Sequence, residues 1–376
     1  MRTYTISKGI KDHKVKLNYP APKASSPEHP CFLQAPEGRQ IVPVPTLHRA
    51  HHVKKARLRS RVLTSSALPL PYCGANQRLS QPRTTSSYHV MISLSPLLST
   101  MAHSSLFTIP VLPCGEAHPG GSIACSEPQP GVYLLSWSSP PDNRLTTPFC
   151  RALLETLDVL ELSRPPGVVV TTSAIAKFYS NGLDLAHAIA TDGFWPLLYA
   201  VWRRFLTYPM PTIALINGHA FAGGLMLATA HDYRLAPRSR GYLCLNELLF
   251  GAPLKPAMAA LFRHKLPHST LRDLALEARR FDGPKAVAAG LADGLADGVD
   301  DVFTFIRERS LGDKAKSGVY GVIKTELHSP LVAFLSGPGL DATEARFEED
   351  GRAEAERKEF ASVWYEQWRK DGSAKL

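Results

Sequence analysis

TIALINGHAFAGGLMLATAHDYRLA, residues 212–236, is the stretch whose reading decides the fold. It opens on TIALIN (212–217), a continuous apolar run of the kind that forms a strand buried on both faces. AGGLMLATAH (222–231) then reads as a helix, and YRLAP (233–237) returns to strand. Outward on the N-terminal side the pattern repeats. GVYLLSWS (131–138) and GVVVTT (167–172) read as strands, and between them FCRALLETLDVLEL (149–162) puts Leu153, Leu157 and Leu160 on one helical face. Thr147-Pro148 reads as its N-cap followed by proline at the first helical position. Strand–helix–strand repetition predicts right-handed crossovers and an α/β fold, with helices outside a parallel sheet. Beyond residue 254 the chain reads as mainly helical, ending in a charged helix over 341–371 with Phe347, Phe360, Trp364 and Trp368 available for packing.

The formal charge of +10 on 376 residues suggests a nucleic-acid partner until it is located. Residues 1–100 hold 15 Lys and Arg against three acids, Asp12, Glu28 and Glu37, which leaves 28 basic and 30 acidic residues in 101–376. The basicity therefore belongs to the N-terminal quarter and says nothing about the partner of the folded part. That quarter is rich in Pro, Ser, His, Lys and Arg and lacks either secondary-structure period, so it is expected to be disordered. A targeting presequence, a binding tail, or translated sequence ahead of a start at Met101 would each account for it, and the last is the expectation. The basic run near 49–61 lacks interleaved stacking aromatics, so no nucleic-acid partner is expected. Six scattered cysteines without a CxxC pair fit a reducing compartment. No apolar run reaches the roughly 18 residues of a membrane span.

Chemistry concentrates in two strand-to-helix turns, KFYSNGLDL (177–185) and NGHAFAGG (217–224). Ligands of α/β sheets gather at the carboxyl ends of strands. Glycine there lets backbone approach a ligand, and N–H groups at helix starts point outward unpaired. Two such groups converging on one point would stabilise an oxyanion. Tight strand–helix packing would explain the Gly223-Gly224 pair alone, but not two matching turns in order.

These motifs carry a specific resemblance. Over residues 128–330 the sequence resembles the crotonase (enoyl-CoA hydratase/isomerase) family. KFYSNGLDL is similar to its first oxyanion loop and NGHAFAGGLMLATAHDYRLA to its second. SPPDNRLTTPF (139–149) resembles the early loop that wraps coenzyme A, and PKAVAAGLADG (284–294) the late helix-to-strand step. The resemblance implies a crotonase-type ββα spiral over 101–310, a helical region over 311–376, and trimers or hexamers. It implies an oxyanion hole from the N–H groups of Asn181 and Gly223, with substrate contacts from Ser180, Gly182, Leu183, Asp184, Arg144 and Leu145. It implies an acyl-CoA partner, with the coenzyme A thioester as substrate and no separate cofactor.

Within the family the hydratases use two glutamates. Here the first of those positions is Met226, which moves no protons, and the second is Glu247 in YLCLNELLFG (242–251), a segment that resembles the LNE-containing strand of Δ3,Δ2-enoyl-CoA isomerases. One carboxylate suffices for an isomerase, while hydration needs a positioned, activated water. Leu243, Leu245, Leu248, Leu249 and Phe250 surround Glu247 in sequence and would desolvate it, raising its pKa toward that of a working base. Asp184 reads as a cap of the following helix.

A surface carboxylate at a strand end is the plainer account of Glu247. Hydration or thioester hydrolysis, and acyl-CoA or RNA binding without turnover, remain the competing functions. Phe194, Trp195, Leu198 and Trp202 are candidates for the acyl pocket and equally for the core. His264 and His268 have i,i+4 spacing, but Pro267 interrupts them and no acid completes a metal set, so no metal is expected. The last residues, Ala374-Lys375-Leu376, resemble the peroxisomal SKL signal, which implies an import-receptor partner and a peroxisomal location, with mitochondrion as the alternative.

Overall fold

The structure, a computed structural model, describes residues 105–372. The N-terminal extension and the C-terminal Ala374-Lys375-Leu376 lie outside the described residues. In chain order the elements are β1 (Ser105–Val111), β2 (Gly121–Gln129), β3 (Val132–Ser138), α1 (Thr147–Ser163), β4 (Val168–Ser173), β5 (Phe178–Ser180), α2 (Leu185–Ala190) and α3 (Phe194–Thr207). There follow β6 (Thr212–Leu215), β7 (His219–Phe221), α4 (Gly223–Thr229), β8 (Tyr233–Ala236), β9 (Leu243–Cys244), a 3-10 turn (Glu247–Phe250) and α5 (Pro256–Lys265). The remainder is α6 (His268–Glu277), α7 (Gly283–Ala288), β10 (Gly294–Leu295), α8 (Val299–Glu308), α9 (Leu311–Ala315), α10 (Tyr320–Val332) and α11 (Gly337–Gly372).

The main sheet runs in the order β1-β2-β3-β4-β6-β8-β10. Strands β3, β4, β6, β8 and β10 are parallel, as the alternation of strand and helix predicts. Every residue of β4 and β6 is buried, which is why their apolar runs do not alternate. β1 and β2 add an antiparallel edge that the sequence reading did not include. A second sheet, β5-β7-β9, is wholly parallel and made of strands of two or three residues. β5 and β7 lie within what the sequence shows as turns, and β9 lies in the YLCLNELLFG segment.

Helix α1 begins one residue earlier than its proline suggests. The cap is Thr146, whose hydroxyl accepts from Phe149 N at 3.4 Å, and Thr147 is the first helical residue. Phe194, Leu198 and Trp202 of α3 are fully buried in the core, while Trp195 is only partly covered. Trp195 lies under the Lys255 ammonium, 5.1 Å from it, and Lys255 is ion-paired to Glu344 at the start of α11. The distal half of α11 leaves Phe360, Trp364 and Trp368 exposed.

α10 is pinned to the sheet by a buried ion pair. The Asp232 carboxylate accepts from Lys324 Nζ at 2.8 Å, Thr212 N at 2.9 Å and Tyr320 OH at 3.2 Å, with the Lys324 side chain 4% exposed. Removing one partner of such a pair strands the other charge, so Lys324→Ala should cost about 3–5 kcal/mol in chemical denaturation. A loss under about 1 kcal/mol would mean that α10 is held by its apolar contacts instead. No helix among the described residues is long and apolar enough to cross a membrane.

Candidate active site

The small sheet sets the site. In its register Ser180 lies opposite Ala220, and Phe221 opposite Cys244, so three parallel strands end level with one another. The turns leaving them are residues 181–184, 222–223 and 245–247, and all emerge at the carboxyl edge. Ala222 N donates to Cys244 O at 2.9 Å, which holds the second turn against the third.

The first turn is fastened to the early loop peptide by peptide. Leu145 N donates to Gly182 O at 2.9 Å, and Arg144 Nη1 donates to Leu183 O at 2.9 Å. A trans peptide is planar with N–H opposite to C=O. With the Gly182 carbonyl turned to Leu145, the Leu183 N–H therefore points the other way, to the start of α4. A Cβ built on Gly223 would lie 3.3 Å from Leu183 N, and one built on Gly182 would lie 3.0 Å from Gly223 N. Gly223 opens α4, where an N–H has no intrahelical acceptor. Ala222 just before it sits at φ +50, a strained backbone for alanine that aims the Ala222–Gly223 peptide. The Leu183 and Gly223 N–H groups thus lie close together at this edge, and neither has an acceptor among the described residues.

This corrects the expectation for Asn181. Its N–H donates to Asp142 O at 3.0 Å and its Nδ2 to Asp142 Oδ2 at 2.6 Å, so it anchors the loop and cannot face a ligand. Other expected substrate contacts also turn out to shape the loops. Ser180 is fully buried, donating to Asn143 O at 2.7 Å and accepting from Gly182 N at 3.2 Å. Leu145 is buried, and Gly182 takes φ +84 where the turn passes under α4. Asp184 caps α2 by accepting from His187 N at 3.0 Å, as the sequence suggests, and its other oxygen meets His118 Nε2 at 2.8 Å. Burial pushes the Asp184 carboxyl up, but the His187 N–H and His118 outweigh it and hold the pKa below the usual range.

Glu247 opens the 3-10 turn three residues beyond β9, rather than lying on a strand. It is 8% exposed, and its Oε2 is buried without a hydrogen-bond donor. Burial pushes its pKa up to about 7. Only Leu243 and Leu245 of its expected apolar neighbours are buried; Leu248, Leu249 and Phe250 face solvent. Met226, on α4, is buried and leaves no acid at the first of the two hydratase positions.

Asn143 was not singled out from the sequence, and it organises the whole edge. Fully buried at φ +54, its side chain accepts from Ser139 N at 2.8 Å and donates to Ser173 Oγ at 2.7 Å and Phe178 O at 3.1 Å. The Pro-Pro-Asp-Asn run at 140–143 was the available signal, since Asn tolerates the left-handed region in tight turns. His264 is exposed but meets the buried His328 ring at 2.9 Å, and no cluster of three metal-ligating side chains occurs among the described residues.

Comparison with known proteins agrees with this fold. The family model described as enoyl-CoA hydratase/isomerase matches residues 127–308. "Enoyl-CoA delta isomerase 3" of Arabidopsis thaliana is 31% identical over 217 residues, covering 53% of this chain and 90% of that protein. The same plant's "Enoyl-CoA delta isomerase 2, peroxisomal" is 30% identical over 223 residues, covering 54% and 91%. The human "Enoyl-CoA delta isomerase 1, mitochondrial" is 30% identical over 152 residues, covering 38% of this chain and half of that one. The solved apo structure of an enoyl-CoA isomerase from Mtb superimposes with a TM-score of 0.52 at 22% identity, over 59% of this chain and 97% of that one, a likeness of fold. With a crotonase-type sheet, two unpaired N–H groups at its carboxyl edge and these relatives, the chain belongs to the enoyl-CoA hydratase/isomerase family.

Proposed function

We propose that this protein is a Δ3,Δ2-enoyl-CoA isomerase, moving a 3-cis or 3-trans double bond of an unsaturated fatty acyl-CoA to 2-trans. The observation that carries the reading is Glu247, a buried carboxyl with a free oxygen and a pKa near neutrality, beyond the same sheet edge as the two N–H groups. Glu247 takes a proton from C2 of the 3-enoyl thioester. The thioester oxygen gains charge as the dienolate forms, and the Leu183 and Gly223 N–H groups hold it. The protonated Glu247 then returns the proton at C4. No water takes part, and Met226 leaves no second acid at the family's other position to activate one. The names of the plant relatives support the same chemistry.

The full chain should isomerise 3-hexenoyl-CoA and hydrate crotonyl-CoA weakly or not at all. Hydration as fast as isomerisation would favour the hydratase reading and remove the argument from Met226. Binding without either reaction would favour a non-catalytic homologue. Exposed apolar residues on α10 (Val322, Ile323, Leu327), at its cap (Val319) and on α11 (Phe360, Trp364, Trp368) support self-association, for which we propose a trimer or hexamer. Ala374-Lys375-Leu376 and the plant relative named as peroxisomal support a peroxisomal location reached through an import receptor.

A further inference from the structure

We propose that His187 is a positioning residue for this reaction: its neutral imidazole caps α1 from α2 and thereby locks together the two segments that orient the Leu183 N–H. The inference rests on the isomerase reading for its kinetic consequence, though not for its structural one.

Thr147 is the first residue of α1, so its N–H has no acceptor within the helix. It donates instead to His187 Nε2 at 3.0 Å, and the Thr147 hydroxyl lies 2.9 Å from the same nitrogen. An Nε2 that accepts from a backbone N–H carries no proton, which places the ring hydrogen on Nδ1. Nδ1 then donates to Thr191 Oγ1 at 3.2 Å, with Cys114 Sγ at 3.5 Å. This tautomer excludes a Cys114–His187 nucleophile pair, because the nitrogen facing sulfur is already protonated. The thiol is also pushed above its ordinary pKa by burial and by Asp184.

The contact closes a ladder. The early loop and the first turn run side by side. Their rungs are Asn181 N to Asp142 O at 3.0 Å, Leu145 N to Gly182 O at 2.9 Å, Arg144 Nη1 to Leu183 O at 2.9 Å, and Thr147 N to His187 Nε2. The middle rungs fix the peptide whose N–H faces Gly223. The His187 rung ties the ends of that pair of segments to the starts of two helices, and removing it leaves the middle rungs at a free end. Asp184, which caps α2 through His187 N, meets His118 of the β1–β2 loop, so a third segment is tied to the same corner.

Protonation would undo the lock twice over. It removes the lone pair that holds Thr147 N–H, and it sets a cation at the positive end of α1. Facing the ring are Asp184, which favours the proton, His118, which opposes it, Cys114 from the β1–β2 loop, Thr147 of α1, Thr191, and the Phe194 edge 5.4 Å away. Burial is the larger influence and holds His187 below its ordinary pKa, so the lock is closed at neutral pH and opens as pH falls.

The test uses the full chain as wild type, His187→Ala, His187→Gln and Thr147→Pro. The glutamine carbonyl can accept from Thr147 N–H but gains no proton. The proline removes the donor at a position whose predecessor, Thr146, is already extended as proline requires. On 3-hexenoyl-CoA, His187→Ala and Thr147→Pro should each lower kcat by about ten- to a hundredfold with KM changed by less than about threefold. His187→Gln should recover most of the loss and should fall less steeply than wild type between pH 8 and pH 5.5. Hydrogen exchange of the peptides spanning 140–149 and 181–185, which needs no substrate, should quicken in the Ala and Pro variants and be restored by Gln. Unchanged exchange in the Ala and Pro variants overturns the lock whatever the activity. Quickened exchange with unchanged kcat, or a change confined to KM, overturns the positioning role. A wild type that does not isomerise at all refutes the functional reading, while the exchange result still decides the lock.

Discussion

Glu247→Gln is expected to abolish isomerisation of 3-hexenoyl-CoA, by about a thousandfold or more in kcat, while leaving binding of the acyl-CoA nearly unchanged. The amide fills the same space and can neither take nor return a proton. The wild-type rate should rise with pH through about 7 and then level, because the base works only as the carboxylate and burial sets its pKa there. The same shift has a stability consequence of definite sign. A carboxyl whose folded pKa is raised stabilises the fold fully below its ordinary pKa, and that contribution is lost as pH rises through the folded value. Wild type should therefore weaken relative to Glu247→Gln between about pH 5 and pH 8, reaching a deficit on the order of 3 kcal/mol at pH 9. Thermal melts of both proteins at pH 5 and pH 9 measure this. Activity that survives the substitution would mean that another group is the base. A difference in melting temperature that ignores pH would mean that the carboxyl is not held in a desolvated site.

Gly182→Ala is the second large effect, expected to lower kcat/KM by about a hundredfold or more while the protein still folds. At φ +84 a Cβ would meet Phe221 O at 2.8 Å and Gly223 N at 3.0 Å, both backbone atoms that cannot swing aside. The first turn must move away from α4, and the Leu183 and Gly223 N–H groups then no longer lie close together. Strain and clash together should also cost about 2–4 kcal/mol of stability. Steady-state kinetics beside a denaturant titration separates the two effects. A variant with full activity would show that these N–H groups do not hold the developing charge.

Much of the fold was legible because its elements satisfy themselves locally. GVVVTT and TIALIN are predominantly apolar without alternation and become strands β4 and β6, buried on both faces. The strand β8 and the helices α1 and α4 likewise fall where their residues place them. β1 and β2 did not announce themselves, because β1 contains Pro110 and β2 is only half covered, so neither alternates cleanly. Strands β5 and β7 could not be read from their residues, and β9 was legible only through the resemblance of its segment to an LNE-containing strand. Two or three residues have no period, and they pair only because the sheet brings distant turns together.

The site divides along the same line. The sequence by itself determined that Glu247 is an acid where Met226 is not, and that glycines stand at two strand-to-helix turns, since residue type is a property of the chain. Only the tertiary structure decided which N–H is free. Asn181 and Leu183 are two residues apart in one turn, and nothing local distinguishes their amides. Asp142 takes the first, while Leu145 turns the Gly182 peptide so that the second faces Gly223. The pKa of Glu247 was settled the same way: three of its five apolar neighbours in sequence face solvent, so its desolvation comes from how the chain closes around it. A hydrogen-bond partner and a dielectric environment are set by residues distant in sequence, and so they exist only once the chain is folded.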